Sequence, residues 1–179
     1  MTTTAGDAQI PDAESGAHLS EVRRRRAELY ESITHLEHAL AAPVPGRQKR
    51  WATRVAEALE ELSDDFRDHI VLMEGTDGLN VRLIRRAPRM AHQVEGLTKE
   101  HASLSQMIAE LSTLVANAQG SMEQGESTRD EPTTHDAIPG GWDEVRALGN
   151  ELLGALSGHR QRGADMVYEA YAVDIGGQD

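Results

Sequence analysis

The sequence predicts an all-α fold, an up-down-up-down four-helix bundle. Three observations carry that expectation. The apolar residues are mainly Leu, Ala, Val and Ile, with one Phe, two Trp and three Tyr among 179 residues, a composition that suits helices packing on helices. Apolar positions recur in steps of three and four over four long segments, which keeps them on one helix face. Clusters of Pro and Gly separate those segments, and no stretch alternates as a strand would.

The first helix is expected from Leu19 to Ala42, with Leu29, Ile33, Leu36 and Leu40 as its stripe. Pro43-Val-Pro-Gly46 ends it, because two prolines and a glycine cannot continue a helix. The second runs from Arg47 to Met73 and stops at Gly75-Thr-Asp-Gly78. Leu79 to Arg86 forms either a short helix or an irregular crossing. Pro88 then suits the first turn of the third helix, which extends to Ala118. Residues 119–140 are polar, acidic and rich in Gly, Pro, Ser and Thr, and read as a flexible surface loop longer than most connections. The fourth helix spans Trp142 to Ala172, and Gly176-Gly177 punctuates the end. This divides the chain into a disordered tail over 1–18, a bundle over 19–172 and a short tail over 173–179.

Composition excludes several functions. Without cysteine there is no disulfide framework, thiolate zinc site or iron–sulfur cluster. A net charge of −12 argues against nucleic acid or an anionic membrane as main partner. The basic run Arg23 to Arg26 is interleaved with Glu21 and Glu28 and reads as a solvated helix face. No apolar run approaches the ~20 residues that span a bilayer, and residues 1–18 lack the apolar centre of a signal peptide. A soluble, cytoplasmic protein is the expectation. No nucleophile-and-base pair or phosphate-binding loop is visible, so turnover of an organic substrate is not expected.

The chemistry lies in three histidines. His69 falls in the series Val55, Leu59, Leu62, Phe66, His69, Met73; His101 in Val94, Leu97, His101, Leu104, Ile108, Leu111; His159 in Leu148, Leu152, Leu156, His159, Gly163, Met166. Each occupies a position where the repeat demands a core residue. Imidazole is costly to bury unless both nitrogens find partners, so three facing one core point to a shared partner, and a metal ion is the first candidate. His35 and His38 lie off the first helix's stripe, by ~120° and nearly opposite it. His92 lies on the face of its helix opposite His101, and His18 and His135 fall in the expected flexible segments. Tyr168 and Tyr171 are read as structural packing near the end of the fourth helix.

These residues resemble those of hemerythrin-like (HHE cation-binding) domains. Lys99-Glu-His-Ala-Ser-Leu-Ser-Gln-Met-Ile-Ala-Glu-Leu111 looks like the family's ligand helix, in which an E-H pair opens an amphipathic run. Asp68-His69-Ile-Val-Leu-Met-Glu74 resembles its His-plus-carboxylate helix, and Gly158-His159-Arg-Gln-Arg-Gly-Ala-Asp165 takes the place of the second such helix. The resemblance covers Leu19 to Ala172. It implies a non-haem iron centre, mono- or dinuclear, with dioxygen, nitric oxide or redox state as what it senses or binds, and with His69, Glu74, His101 and His159 as metal ligands. Peroxide or oxygen chemistry at the iron is a further option.

The chain departs from the family pattern at the carboxylates. Four residues after His69, where an acid is common, stands Met73, and Glu74 follows it; four after His159 stands Gly163. Those departures favour a rival reading, a degenerate metal-free bundle that serves as a structural or protein-interaction module.

Overall fold

The computed structural model describes residues 11–41, 47–127 and 141–172, with side chains over 20–41, 47–121 and 141–170. Among them every regular element is helical: α1 (Pro11–Ala41), α2 (Gln48–Glu74), α3 (Leu79–Arg86), a 3₁₀ turn at Pro88–Met90, α4 (Ala91–Ser127) and α5 (Trp142–Ala172). Residues 1–10, 42–46, 128–140 and 173–179, which hold most of the expected tails and loop, lie outside the described residues.

The helix ends differ from expectation in three places, each for a local reason. α1 starts at Pro11, before Leu19, since proline is pre-set for a helix start. α4 continues past Ala118 to Ser127; Met122, Glu123 and Gln124 are good helix formers that carry it into the segment expected to be loop. Pro88 opens the 3₁₀ turn, and α4 begins at Ala91.

Leu79 to Arg86 is the short helix α3, which buries Leu83 and Asn80. The turn before it needs glycine. A Cβ on Gly78 would stand 2.6 Å from the Met73 carbonyl oxygen and 2.8 Å from the Gly75 backbone.

α1 packs on α2 and α5, and α4 packs on the same two helices. Their facing stripes build a main core from Leu36, Val55, Leu59, Leu62, Phe66, Leu104, Leu111, Leu152 and Leu156, among others. Each such side chain contributes roughly 1.5–3 kcal/mol relative to leaving it exposed. Trp51 and Trp142 belong to this core and meet edge to face, with ring centroids 5.2 Å apart. A second, smaller apolar cluster joins Leu83, Ala87, Met90, Val94, Leu97, Met166 and Ala170. It forms where α3 and the 3₁₀ turn pack on α4 and α5.

The two clusters are not continuous. On α4, Leu97 belongs to the end cluster and Leu104 to the main core; on α5, Leu156 belongs to the main core and Met166 to the end cluster. The residues between them in the apolar series are His101 and His159, so a polar layer separates the two. No described helix is long and apolar enough to cross a membrane.

Candidate metal centre

His69, His101 and His159 make up that layer. They are 8%, 2% and 6% exposed, and one ring nitrogen from each lies within 4.8 Å of the others. His159 Nε2 is 3.2 Å from His101 Nε2 and 3.5 Å from His69 Nε2. Phe66, one turn before His69, forms a wall. Its ring stacks on His69 with centroids 5.9 Å apart and meets His101 and His159 edge-on at 5.9 Å and 6.4 Å.

Two carboxylates reach the cluster from outside. Glu74 Oε1 is 2.5 Å from His101 Nδ1, and Glu100 Oε2 is 2.8 Å from His159 Nδ1. The second oxygen of Glu100 accepts from Arg162 Nε at 2.8 Å. An ionised carboxylate only accepts, so Nδ1 of His101 and of His159 carries a proton and donates it, and in the neutral form of such a ring Nε2 carries the lone pair. With both rings in that neutral form, their Nε2 lone pairs face each other at 3.2 Å. His69 Nδ1 is buried and has no hydrogen-bond partner among the described residues. Facing lone pairs and an unpaired buried nitrogen are unfavourable in a low-dielectric interior, and a shared cation relieves the first of these.

The electrostatics suit that role. Burial, followed by the repulsion that His101 and His159 exert when protonated and by Arg26, holds His69 down to about 3 from an ordinary 6.5. Burial also lowers His159, against the opposing pull of Glu100. Burial alone would raise Glu100, but its bonds to Arg162 and His159 outweigh that and lower it. At neutral pH His69 and His159 are uncharged, the form in which imidazole binds metal. The residues present fit a cation.

The structure brings together the three histidines singled out in the sequence. It places Glu74 on the outer nitrogen of His101, away from the converging nitrogens. Met73 is buried, and Gly163 faces open space, with no atom within 4 Å of where a Cβ would stand. His35 lies outside the cluster, exposed and bonded to Glu61 at 2.9 Å; His38 and His92 are exposed as well. Tyr168 is 77% exposed, which corrects the packing role expected of it, because its position on α5 turns outward from both clusters. The Tyr171 side chain, like those of His18 and His135, lies outside the described residues. Arg24 pairs with Glu21 and Glu28 on the surface of α1, and Arg25 reaches across to Asp68 on α2.

Glu100, Arg162 and Phe66 were missed as site residues. Glu100 is the acid of the E-H pair, rotated ~100° from His101, so it reaches the neighbouring helix instead of its own histidine's face. Arg162 lies one turn beyond His159, where it can hold Glu100. Phe66 read only as core.

The model of the hemerythrin HHE cation-binding domain matches residues 17–159, a span that includes all three histidines. Neither the curated proteins nor the solved structures compared with the chain contain a match.

Proposed function

Because the chain belongs to the hemerythrin HHE cation-binding domain family, we propose that it is a metal-binding protein whose ligands are His69, His101 and His159. The single observation behind this reading is the convergence of three buried imidazole nitrogens within 4.8 Å. Iron is the metal that the family typically holds. At such a site it would supply reversible binding of dioxygen or nitric oxide, or a change of redox state. Three nitrogen donors also suit other first-row ions. The chain's own residues supply a dry, rigid setting: Phe66 walls the rings, while Glu74 and Glu100 fix two of them in orientation. The lack of a recognisable nucleophile-and-base pair in the sequence favours binding or sensing over turnover of an organic substrate. A cytoplasmic setting is part of the proposal and is consistent with a cysteine-free chain. So is the up-down-up-down arrangement, which is supported by α4 passing from end cluster to main core as α5 passes from main core to end cluster.

The test is metal quantitation and an absorption spectrum on protein freshly purified from iron-supplied cells, with thermal melts before and after chelation. The expected result is at least one ion per chain, a melting temperature that falls on chelation, and loss of metal in His101→Ala. Well under one ion per chain, with no change in melting, would overturn the reading. That outcome would support the metal-free interaction module, which the Met73 and Gly163 positions favour.

A further inference from the structure

We propose that the cluster holds a single ion through three histidine nitrogens, and that Glu74 and Glu100 are positioning residues outside its coordination shell. This rests on the metal-binding reading above and goes beyond it in nuclearity and donor set.

Four observations support it. First, both carboxylates are already engaged on the far side of their rings. Glu74 bonds His101 Nδ1 at 2.5 Å, and Glu100 uses one oxygen on His159 Nδ1 and the other on Arg162, both at 2.8 Å. Nδ1 and Nε2 point away from each other across an imidazole, so a carboxylate on one is directed away from an ion on the other. Second, the two Nε2 separations from His159, 3.2 Å to His101 and 3.5 Å to His69, lie close to the edge of a tetrahedron around a zinc-like ion, about 3.3 Å for metal–nitrogen bonds near 2.0–2.1 Å, and all three nitrogens stay within 4.8 Å of one another. Third, a dinuclear centre needs bridging oxygens. Among the described residues the three histidines are the only group of three or more His, Asp or Glu close enough to hold an ion, and Met73 and Gly163 stand where the family pattern places acids. Fourth, the charges favour a cation: the carboxylates of Glu74 and Glu100 offset most of the charge that a divalent ion and Arg162 bring to the layer, which matters in a poorly screened interior.

The arrangement is that of a histidine–metal site with carboxylate outer partners. Its donors are all nitrogen, which selects a zinc-, cobalt- or iron-class divalent ion over magnesium or calcium. Glu74 and Glu100 act through the rings by fixing the tautomer, so that both lone pairs are presented inward before an ion arrives.

The experiment titrates chelator-stripped full-length protein with cobalt(II), reading the visible absorption bands and the bound metal per chain. Nitrogen-15 NMR of the imidazoles in the metal-free protein reports which nitrogen carries the proton. Wild type should saturate at one ion per chain, with His101 and His159 protonated on Nδ1. Glu74→Gln and Glu100→Gln should still saturate at one ion with unshifted bands, but bind roughly 10–100-fold more weakly. Glu100→Ala, which leaves His159 Nδ1 without its acceptor while His101 Nε2 stands 3.2 Å from His159 Nε2, should shift the proton of His159 to Nε2 and leave the tautomer of His101 as it was, a selectivity that general destabilisation would not produce. Two ions per chain, a displaced band in Glu74→Gln, or Nε2-protonated rings in wild type would overturn this inference while leaving metal binding intact. No uptake by wild type would overturn both.

Discussion

Acidifying the metal-free protein from pH 7 to pH 5 should cost it about 2 kcal/mol through His69 alone. The ring holds a folded-state value near 3 against an ordinary 6.5. Between those values the unfolded chain binds a proton that the folded chain does not, so stability falls as pH falls. At pH 5 the unfolded ring lies about 1.5 units below its own midpoint, and each unit is worth ~1.36 kcal/mol. The result depends little on the folded value, provided that value stays well under 5. His159, also lowered by burial, adds in the same direction. His35 opposes them: its bond to exposed Glu61 raises it, and its contribution is retained on acidification and lost as pH rises. The assay is urea unfolding followed by circular dichroism in the presence of chelator at pH 7, 6 and 5, on wild type and His69→Gln. Only the difference between the two proteins isolates His69, since His35, His159 and the carboxylates are common to both. The wild-type midpoint should fall by on the order of 1 M urea more than that of the variant, for a slope of about 2 kcal/mol per molar. Parallel pH dependence in the two proteins would refute the claim that this ring is held neutral.

Further perturbations separate packing from metal binding. Phe66→Ala, which removes the 2% exposed ring against which all three histidines rest, should destabilise the chelated protein by about 3–5 kcal/mol in urea; a loss under ~1 kcal/mol would mean the wall is not packed. Gly154 and Gly163 each have room for a side-chain carbon, so alanine there should stabilise α5 by about 0.4–1 kcal/mol. Gly149→Ala would place its new carbon 2.6 Å from a Leu40 methyl and should destabilise by about 1–3 kcal/mol; the same sign at all three glycines would contradict the packing described. Zinc at a hundredfold excess over its dissociation constant should add ~2.7 kcal/mol, raising the melting temperature by about 5–10 °C. His101→Ala should abolish that rise.

The helices and the three histidines were legible because each depends on a pattern within one segment. Leu62, Phe66, His69 and Met73 declare a face by spacing alone, and a polar ring in such a series must meet something inside. Glu74 was legible as a neighbour of the site but not in its position, because the partner it takes belongs to α4 and no single-helix pattern encodes that. Glu100 was hidden for the complementary reason: its rotation away from the His101 face reads as exposure until α5 is placed beside it. The end of α4 was misjudged because Gly120 and the polar residues around it resemble a loop in composition, while the residues after it still favour helix. Tyr168 read as packing from its residue type, yet its angular position on α5 turns it to solvent.

The layer of histidines also bears on how fast an ion could come and go. Its rings are 2–8% exposed, set between two apolar clusters and behind the partly exposed Glu74 and Glu100, which restricts a chelator's approach to a bound ion while the helices stay closed. Release would then be paced by local opening of the structure, not by the strength of the metal–nitrogen bonds. Loosening the end cluster, for instance at Leu83 or Met90, should shorten the residence time of the ion even though neither residue donates to it. An ion held this way would persist through washing and dilution that strip a far stronger but exposed site, and its lifetime would measure the breathing of the bundle.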